Sequence, residues 1–144
     1  MDKLAQHILY LASNHRLPCE NIKLHKVMFF TVGMYVRLNG VDEFVKNIYD
    51  VPFEKWHYGA CVSSIYYKFS IFGNRDLTKY TSGIYHNELS RFDEIIMKLL
   101  LSDTYKLIRV NRDMPAWIKY KEDISRGYLH HQYYLDEIYN DFRE

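Results

Sequence analysis

His57 and Cys61 are the residues whose types and spacing first suggest catalysis, because they stand four positions apart in the stretch FEKWHYGACVSSIYYKF. On a continuous helix their side chains would share a face, and an imidazole could serve as the base for a cysteine nucleophile. Gly59 lies between them and argues against a continuous helix, and no local motif supplies a third group to orient the imidazole. We therefore predict a buried thiol beside a capping histidine, no catalytic residues and no enzyme activity.

The seven histidines raise the question of a metal site. Zinc sites bring ligands together through spacings such as HExxH or CxxC, and the sequence contains neither. His130 and His131 are adjacent, and adjacent side chains on a helix point in different directions. Cys19 and Cys61 are too few for a disulfide framework and are expected to be free thiols. With no glycine pattern that cradles phosphates, we predict neither a metal site nor a cofactor.

Charge and hydropathy restrict the partners and the location of the chain. Its 19 basic and 18 acidic residues give a net charge of +1 without a basic run, which does not favour nucleic-acid binding. A small patch of Lys23, His25, Lys26 and Arg37 leaves weak nucleic-acid binding as an alternative. The longest apolar stretch, residues 27–36, is about half the roughly 20 residues of a membrane span, and the amino terminus lacks signal-peptide features. A cytoplasmic protein with no membrane partner is expected.

Aromatic residues are abundant, at 17% of the chain with 14 tyrosines. Tyrosine and tryptophan combine an apolar ring with a polar tip, and they anchor protein interfaces where they are exposed. Packing within the core is the alternative role for the same rings. The exposed members of Trp56, Tyr58, Tyr66 and Tyr67 are the predicted contacts with a protein partner, and Trp117 is a second candidate.

The spacing of apolar residues predicts one mainly α-helical domain over residues 1–144, with about six helices and at most a small β-hairpin. Capping residues, glycine and proline set the expected boundaries. The predicted helices cover residues 2–13, Asn21 to Gly40, Ser63 or Ser64 to Gly73, 87–101, Ser102 to Arg109, a short helix from Pro115, and 129–143.

Two short strands and a loop complete the predicted elements. Residues 51–56 can be extended, since Pro52 resists a helix and is tolerated at a sheet edge, and residues 77–81 are the candidate partner strand. Residues 41–50 are expected to form an irregular loop. Four residues are expected to act structurally, in turns and at helix ends: Gly40, Gly59, Gly73 and Pro115.

Four motifs occur in an order that matches a known family. KLHKVMFFTVGMYVRLNG (23–40) is similar to KLxKLLYFAxGxYLxxxG, and FEKWHYGACVSSIYYKF (53–69) is similar to FEAWxxGPVVPxVYxxF. MPAWIKY (114–120) and YLDEIYNDF (134–142) follow. The chain thus resembles the Panacea, or SocA-like, domain of prophage- and plasmid-associated antitoxins. It differs at Ala60, where the family has proline.

The resemblance implies a mainly helical, non-enzymatic protein that neutralises a cognate toxin by direct binding, encoded on a prophage or another mobile element. A mobile-element protein that binds and inhibits a host or phage defence component is an alternative with the same fold. An enzyme that unites His57, Cys61 and a carboxylate in a deep pocket is another. The sequence does not indicate an oligomeric state.

Overall fold

The computed structural model describes residues 1–143, and within them nine α-helices accompany a two-stranded hairpin. This confirms the predicted mainly helical fold with a small hairpin. The helices are α1 (Asp2–Asn14), α2 (Asn21–Asn39), α3 (Glu43–Ile48), α4 (Ser63–Phe69), α5 (Asp93–Leu100), α6 (Thr104–Arg112), α7 (Pro115–Ile118), α8 (Lys121–Ser125) and α9 (Leu135–Phe142), and the strands are β1 (Glu54–Trp56) and β2 (Gly59–Cys61).

Helix α2 is the centre of the core. Residues 24–33 are all buried, because α1, α5, α6, α9 and the hairpin surround the helix. At Gly33 the ring of Phe142 packs so closely that a side chain would collide with it. The helix ends at Gly40, whose backbone has φ 75° and whose N–H donates to the Val36 carbonyl. The predicted end of this helix is therefore confirmed.

Asn21 does not cap α2, although its side chain was predicted to do so. Glu20 is the N-cap residue, and it makes no side-chain capping bond. Asn21 is buried, and its Nδ2 donates to the Tyr66 carbonyl at 2.9 Å. The Asn21 side chain thus bonds to α4 and does not bond to an amide at the start of α2.

The two other predicted caps also differ from the structure. Helix α4 begins at Ser63, and neither Ser63 nor Ser64 caps it through a side chain. Asp103, rather than Ser102, caps α6, because its Oδ2 accepts from the Lys106 amide at 3.2 Å. Serine and aspartate have similar capping tendencies, so adjacent candidates cannot be separated by type alone.

Residues 41–50 are not the irregular loop that was predicted, since α3 occupies most of them. Asp42 caps this helix by accepting from the Val45 amide at 2.9 Å. Val45 is the one fully buried side chain of α3. A helix this short, with one inward residue, shows no apolar period in the sequence.

The hairpin joins β1 to β2 rather than to residues 77–81, so the predicted pairing was wrong. Glu54 pairs with Cys61 and Trp56 with Gly59, in antiparallel register. Gly59 has φ 99°, a backbone conformation that suits the residue closing a tight turn. Leu77–Lys79 is instead a 3₁₀ turn, whose first amide donates to the Cys19 carbonyl.

The carboxyl-terminal helix is shorter than the predicted 129–143. Residues before α9 are extended along β1, with the Lys55 amide donating to His131 and the Tyr133 amide donating to Phe53, each at 2.8 Å. Backbone pairing with the hairpin competes with helix here. Pro115 occupies the first position of α7, as predicted.

Two further boundaries differ from the prediction. The expected helix over 87–101 is a 3₁₀ helix, Asn87–Phe92, followed by α5. A 3₁₀ turn also separates α4 from Gly73, which has φ 57°. Helix α8 was not predicted.

Within the described residues, no helix is both long enough and apolar enough to cross a membrane.

Candidate functional site

The outer edge of β2 has no neighbouring strand among the described residues, and two side chains bond to its backbone instead. The Lys55 amide points away from β2, so the opposed residue, Ala60, directs its N–H and C=O away from β1. The Ala60 amide donates to Oδ1 of Asn111 at 2.8 Å, and its carbonyl accepts from Nζ of Lys26 at 2.6 Å. Two side chains, from α6 and α2, thus replace a third strand.

Asn111 is the centre of this polar network. Its Oδ1 also accepts from Nζ of Lys26 at 3.2 Å, and its Nδ2 donates to the hydroxyl of Tyr133 at 3.2 Å. Asn111 and Tyr133 are fully buried, and Lys26 is 2% exposed. The network therefore joins α2, α6, β2 and the segment before α9 inside the core, where a lost hydrogen bond is costly.

Lys26 is a buried amine without a carboxylate partner. Burial lowers the pKa of Lys26 to about 7, against a small opposing effect of Cys61. Both of its hydrogen-bond partners, Ala60 and Asn111, are uncharged acceptors. At neutral pH a substantial fraction of this side chain is therefore an uncharged amine.

A pocket of about 240 Å³ lies over Lys26. Its walls are mainly apolar and include Ile22, Trp56, Tyr66 and Leu129. A second buried polar group on α2, His25, also lines it, and burial lowers the pKa of His25 to about 4. The pocket is thus mainly apolar, with the amine of Lys26 and the imidazoles of His25 and His57 in its wall.

The predicted aromatic contacts gather at the mouth of this pocket. Ring centroids of Trp56, Tyr66 and Tyr67 lie 5.1 to 5.9 Å apart. Tyr58 is 57% exposed and Tyr67 is 64% exposed, whereas Trp56 and Tyr66 are half-buried. We call Trp56, Tyr58, Tyr66 and Tyr67 the aromatic surface. The structure brings these four predicted residues to one place.

Trp117 was predicted as a second surface contact, and the structure places it in the interior instead. The residue is 2% exposed. Its Nε1 donates to the Trp56 carbonyl at 2.8 Å, and the guanidinium of Arg112 covers its ring. Trp117 therefore supports the hairpin by donating to its backbone from within the core.

Replacing Trp117 with phenylalanine is expected to lower the free energy of unfolding by about 1.5 kcal/mol, from the lost hydrogen bond and a small cavity. Urea denaturation measures the change. Trp56→Phe is the matched control, because Trp56 is half-buried and its Nε1 makes a longer bond, of 3.2 Å, to Glu54. Equal effects of the two substitutions would contradict the supporting role of Trp117.

His57 and Cys61 do not form a catalytic pair. His57 is exposed in the hairpin turn, whereas Cys61 is buried. Burial raises the pKa of Cys61 to about 12, so its thiol stays protonated at neutral pH. No hydrogen bond among the described residues connects the two side chains.

A second polar cluster, which the sequence did not suggest, lies away from the pocket. His7 contacts Asp93 through Nε2 at 2.6 Å, and Tyr85 donates to the other oxygen of Asp93 at 2.7 Å. The His86 amide donates to Nδ1 of His7, so the ring proton of neutral His7 is on Nε2. His7 has no exposed surface, and the cluster therefore fixes α1 against α5 rather than meeting a substrate.

Metal and nucleic-acid sites receive little support from the geometry. Within residues 1–143, no three histidine, cysteine or acidic side chains come together as metal ligands do. The basic patch proposed for nucleic acid loses His25 and Lys26, which are buried. Lys23 donates to the Ser102 carbonyl at 3.0 Å. The two remaining basic groups are too few to form a phosphate-binding stripe.

No family model matches the chain, and no curated protein or solved structure matches it either.

Proposed function

We propose that the chain is a non-enzymatic binding protein of the antitoxin type, which neutralises a toxic protein by docking it on the aromatic surface. The observation that carries this proposal is the exposure of Tyr58 and Tyr67 beside a mainly apolar pocket. Exposed tyrosines that flank a pocket are typical of the centres of protein interfaces, where a few aromatic residues supply most of the affinity.

The support beneath the aromatic surface favours the same role. Trp56 and Tyr58 belong to the hairpin, which Lys26 and Asn111 hold from one side. Tyr66 belongs to α4, and its carbonyl accepts from Asn21 of α2. Rings on such a fixed base lose little freedom on binding, so a partner meets a preformed surface.

The chemistry at the mouth of the pocket fits binding better than turnover. Cys61 is a protonated thiol, and the amine of Lys26 is buried among backbone and amide acceptors. Neither side chain donates a hydrogen bond to a carboxylate or an imidazole among the described residues. An apolar side chain of the partner, inserted between the tyrosines, would find matching walls in Ile22 and Leu129.

The test is co-expression with the product of the adjacent gene, with the wild-type chain and the double variant Tyr58→Ala/Tyr67→Ala. The wild type should restore growth and form a complex on a sizing column. The double variant should bind at least about tenfold more weakly, since each lost anchor costs 1 kcal/mol or more. Its unfolding curve should not change, because both rings are exposed.

Tyr105→Ala is the matched control, because Tyr105 is 72% exposed and lies outside the aromatic surface. It should protect the host as well as the wild type does. A double variant that still neutralises the toxin would overturn the docking surface. Unchanged toxicity with no complex would overturn the antitoxin function, and inhibition of a host defence protein through the same residues would assign the alternative partner.

A further inference from the structure

We propose that the pocket over Lys26 binds a small aromatic carboxylate, with the ring packed against Trp56 and Tyr66 and the carboxylate on Nζ of Lys26. This ligand site is a second property of the chain, and it does not rest on the proposed docking function.

The size of the pocket sets the size of the ligand. An apolar cavity of about 150 Å³ holds benzene, and pockets for drug-sized molecules begin at about 300 Å³. At about 240 Å³ this pocket lies between them, so a single ring with a short acidic substituent would fill it. Trp56 and Tyr66 contact each other edge to face, with centroids 5.1 Å apart, and together they form one aromatic wall on which such a ring can pack.

The charge of the ligand follows from the hydrogen bonds of Lys26. A protonated amine has three N–H donors, and two of them meet the Ala60 carbonyl and Oδ1 of Asn111. Both acceptors are neutral, and no carboxylate pairs with the amine in the described residues. A ligand carboxylate would supply the third acceptor and the compensating charge, and such charge-assisted bonds are the strong ones.

The close packing around the amine depends on Gly59. A side chain at this position would lie 2.8 Å from Nζ of Lys26 and would collide with Asn111. Gly59 and Lys26 both line the pocket, and the missing side chain lets the hairpin backbone lie close to Nζ. The glycine is therefore needed both for its positive φ and for the close packing of Lys26 and Asn111 against the hairpin.

The other titratable groups near Lys26 permit an anion. His25 is neutral, and the thiol of Cys61 is protonated, because burial shifts the pKa of each group towards its uncharged form. Glu54 is the one carboxylate of the hairpin, and its oxygens face the Trp56 indole N–H and His130 rather than Nζ. The remaining polar wall groups are the exposed His57 and the hydroxyls of Tyr58 and Tyr66, each of which has an N–H or O–H that can donate to a carboxylate.

The experiment titrates the ¹⁵N-labelled chain with benzoate and phenylacetate, and with benzamide as the neutral match, at pH 6.5 and pH 8.5. We expect one carboxylate to bind with a dissociation constant of about 1 mM or tighter, the range for so small a ligand. The largest shifts should be at the amides of Gly59, Ala60 and Cys61. Benzamide should bind at least about tenfold more weakly.

The pH comparison adds a second measurement on the wild type. Because the carboxylate pairs with protonated Lys26, its affinity should fall severalfold from pH 6.5 to 8.5, with proton uptake by calorimetry at the higher pH. Lys26→Met should abolish binding, and Lys23→Met, on the same helix and outside the pocket, should not. If Lys26→Met fails to fold, the wild-type comparisons decide. Equal affinity for benzamide and benzoate, or no shifts at the hairpin, would overturn the proposal.

Discussion

Replacing Asn111 with alanine is expected to lower the free energy of unfolding by about 4 kcal/mol, because the change leaves two or three buried polar groups without partners. The Ala60 amide loses its acceptor, Nζ of Lys26 loses one of two, and the Tyr133 hydroxyl loses its donor. Each such group in the interior costs about 1–3 kcal/mol. Urea denaturation followed by far-UV circular dichroism measures the loss.

The variant Asn111→Asp tests whether the acceptor oxygen at position 111 stabilises the network. Its carboxylate keeps the acceptor that Ala60 and Lys26 use, and it can accept from the Tyr133 hydroxyl, so the loss should be smaller than for alanine. Asn47→Ala is the control for asparagine removal as such, since Asn47 is exposed on α3, and it should change stability by less than about 0.5 kcal/mol. An alanine substitution at 111 as mild as that at 47 would show that the network does not hold the hairpin.

The helices that could be predicted from the sequence are those with several apolar turns. Helices α1 and α2 begin and end within about a residue of their predicted bounds, because a long period and a terminating Gly40 leave little choice. Helix α3 and the segment before α9 could not be predicted. Their conformation depends on one buried Val45 and on backbone pairing with β1, and neither leaves a period in the sequence.

The hairpin could not be predicted from the sequence either. Its turn consists of His57 and Tyr58, which do not belong to the residue types that mark tight hairpin turns, and only Gly59 hints at it. The predicted partner strand, residues 77–81, therefore lies about twenty residues too far along the chain. The aromatic surface was nevertheless predicted, because Trp56 and Tyr67 are near in sequence and a turn of any kind brings them together.

The polar network was missed for a physical reason. Lys26 reads as a surface residue, since lysine is rarely buried, and only its place within a run of buried α2 residues indicates otherwise. Asn111 follows Leu107 by four positions and so lies on the inward face of α6. A polar residue on an otherwise apolar helix face indicates a buried hydrogen bond. It does not indicate which residue is the partner.

The titration of Lys26 should make the protein more stable at pH 9 than at pH 7. The pKa of Lys26 is about 7 in the folded chain, and an unfolded lysine has a pKa of about 10.4, so between these values the unfolded chain binds more protons. The contribution of Lys26 to stability therefore rises by about 2 kcal/mol between pH 7 and pH 9. Burial raises the pKa of Cys19 and Cys61 to about 12, whereas unfolded thiols ionise near pH 8.5, so the two cysteines offset part of this rise by pH 9 and make stability fall at higher pH.

Thermal and urea unfolding at half-unit steps of pH measure this profile, and two variants assign it to one residue. Lys26→Met removes the titrating group, and Asn111→Asp places a carboxylate beside Nζ, which raises the pKa of Lys26 towards its ordinary value. Both should flatten the rise between pH 7 and pH 9 while the decline at higher pH remains. A wild-type curve that is level or falling across that interval would mean that the buried amine is compensated by a charge, and the case for an anionic ligand over Lys26 would fall with it.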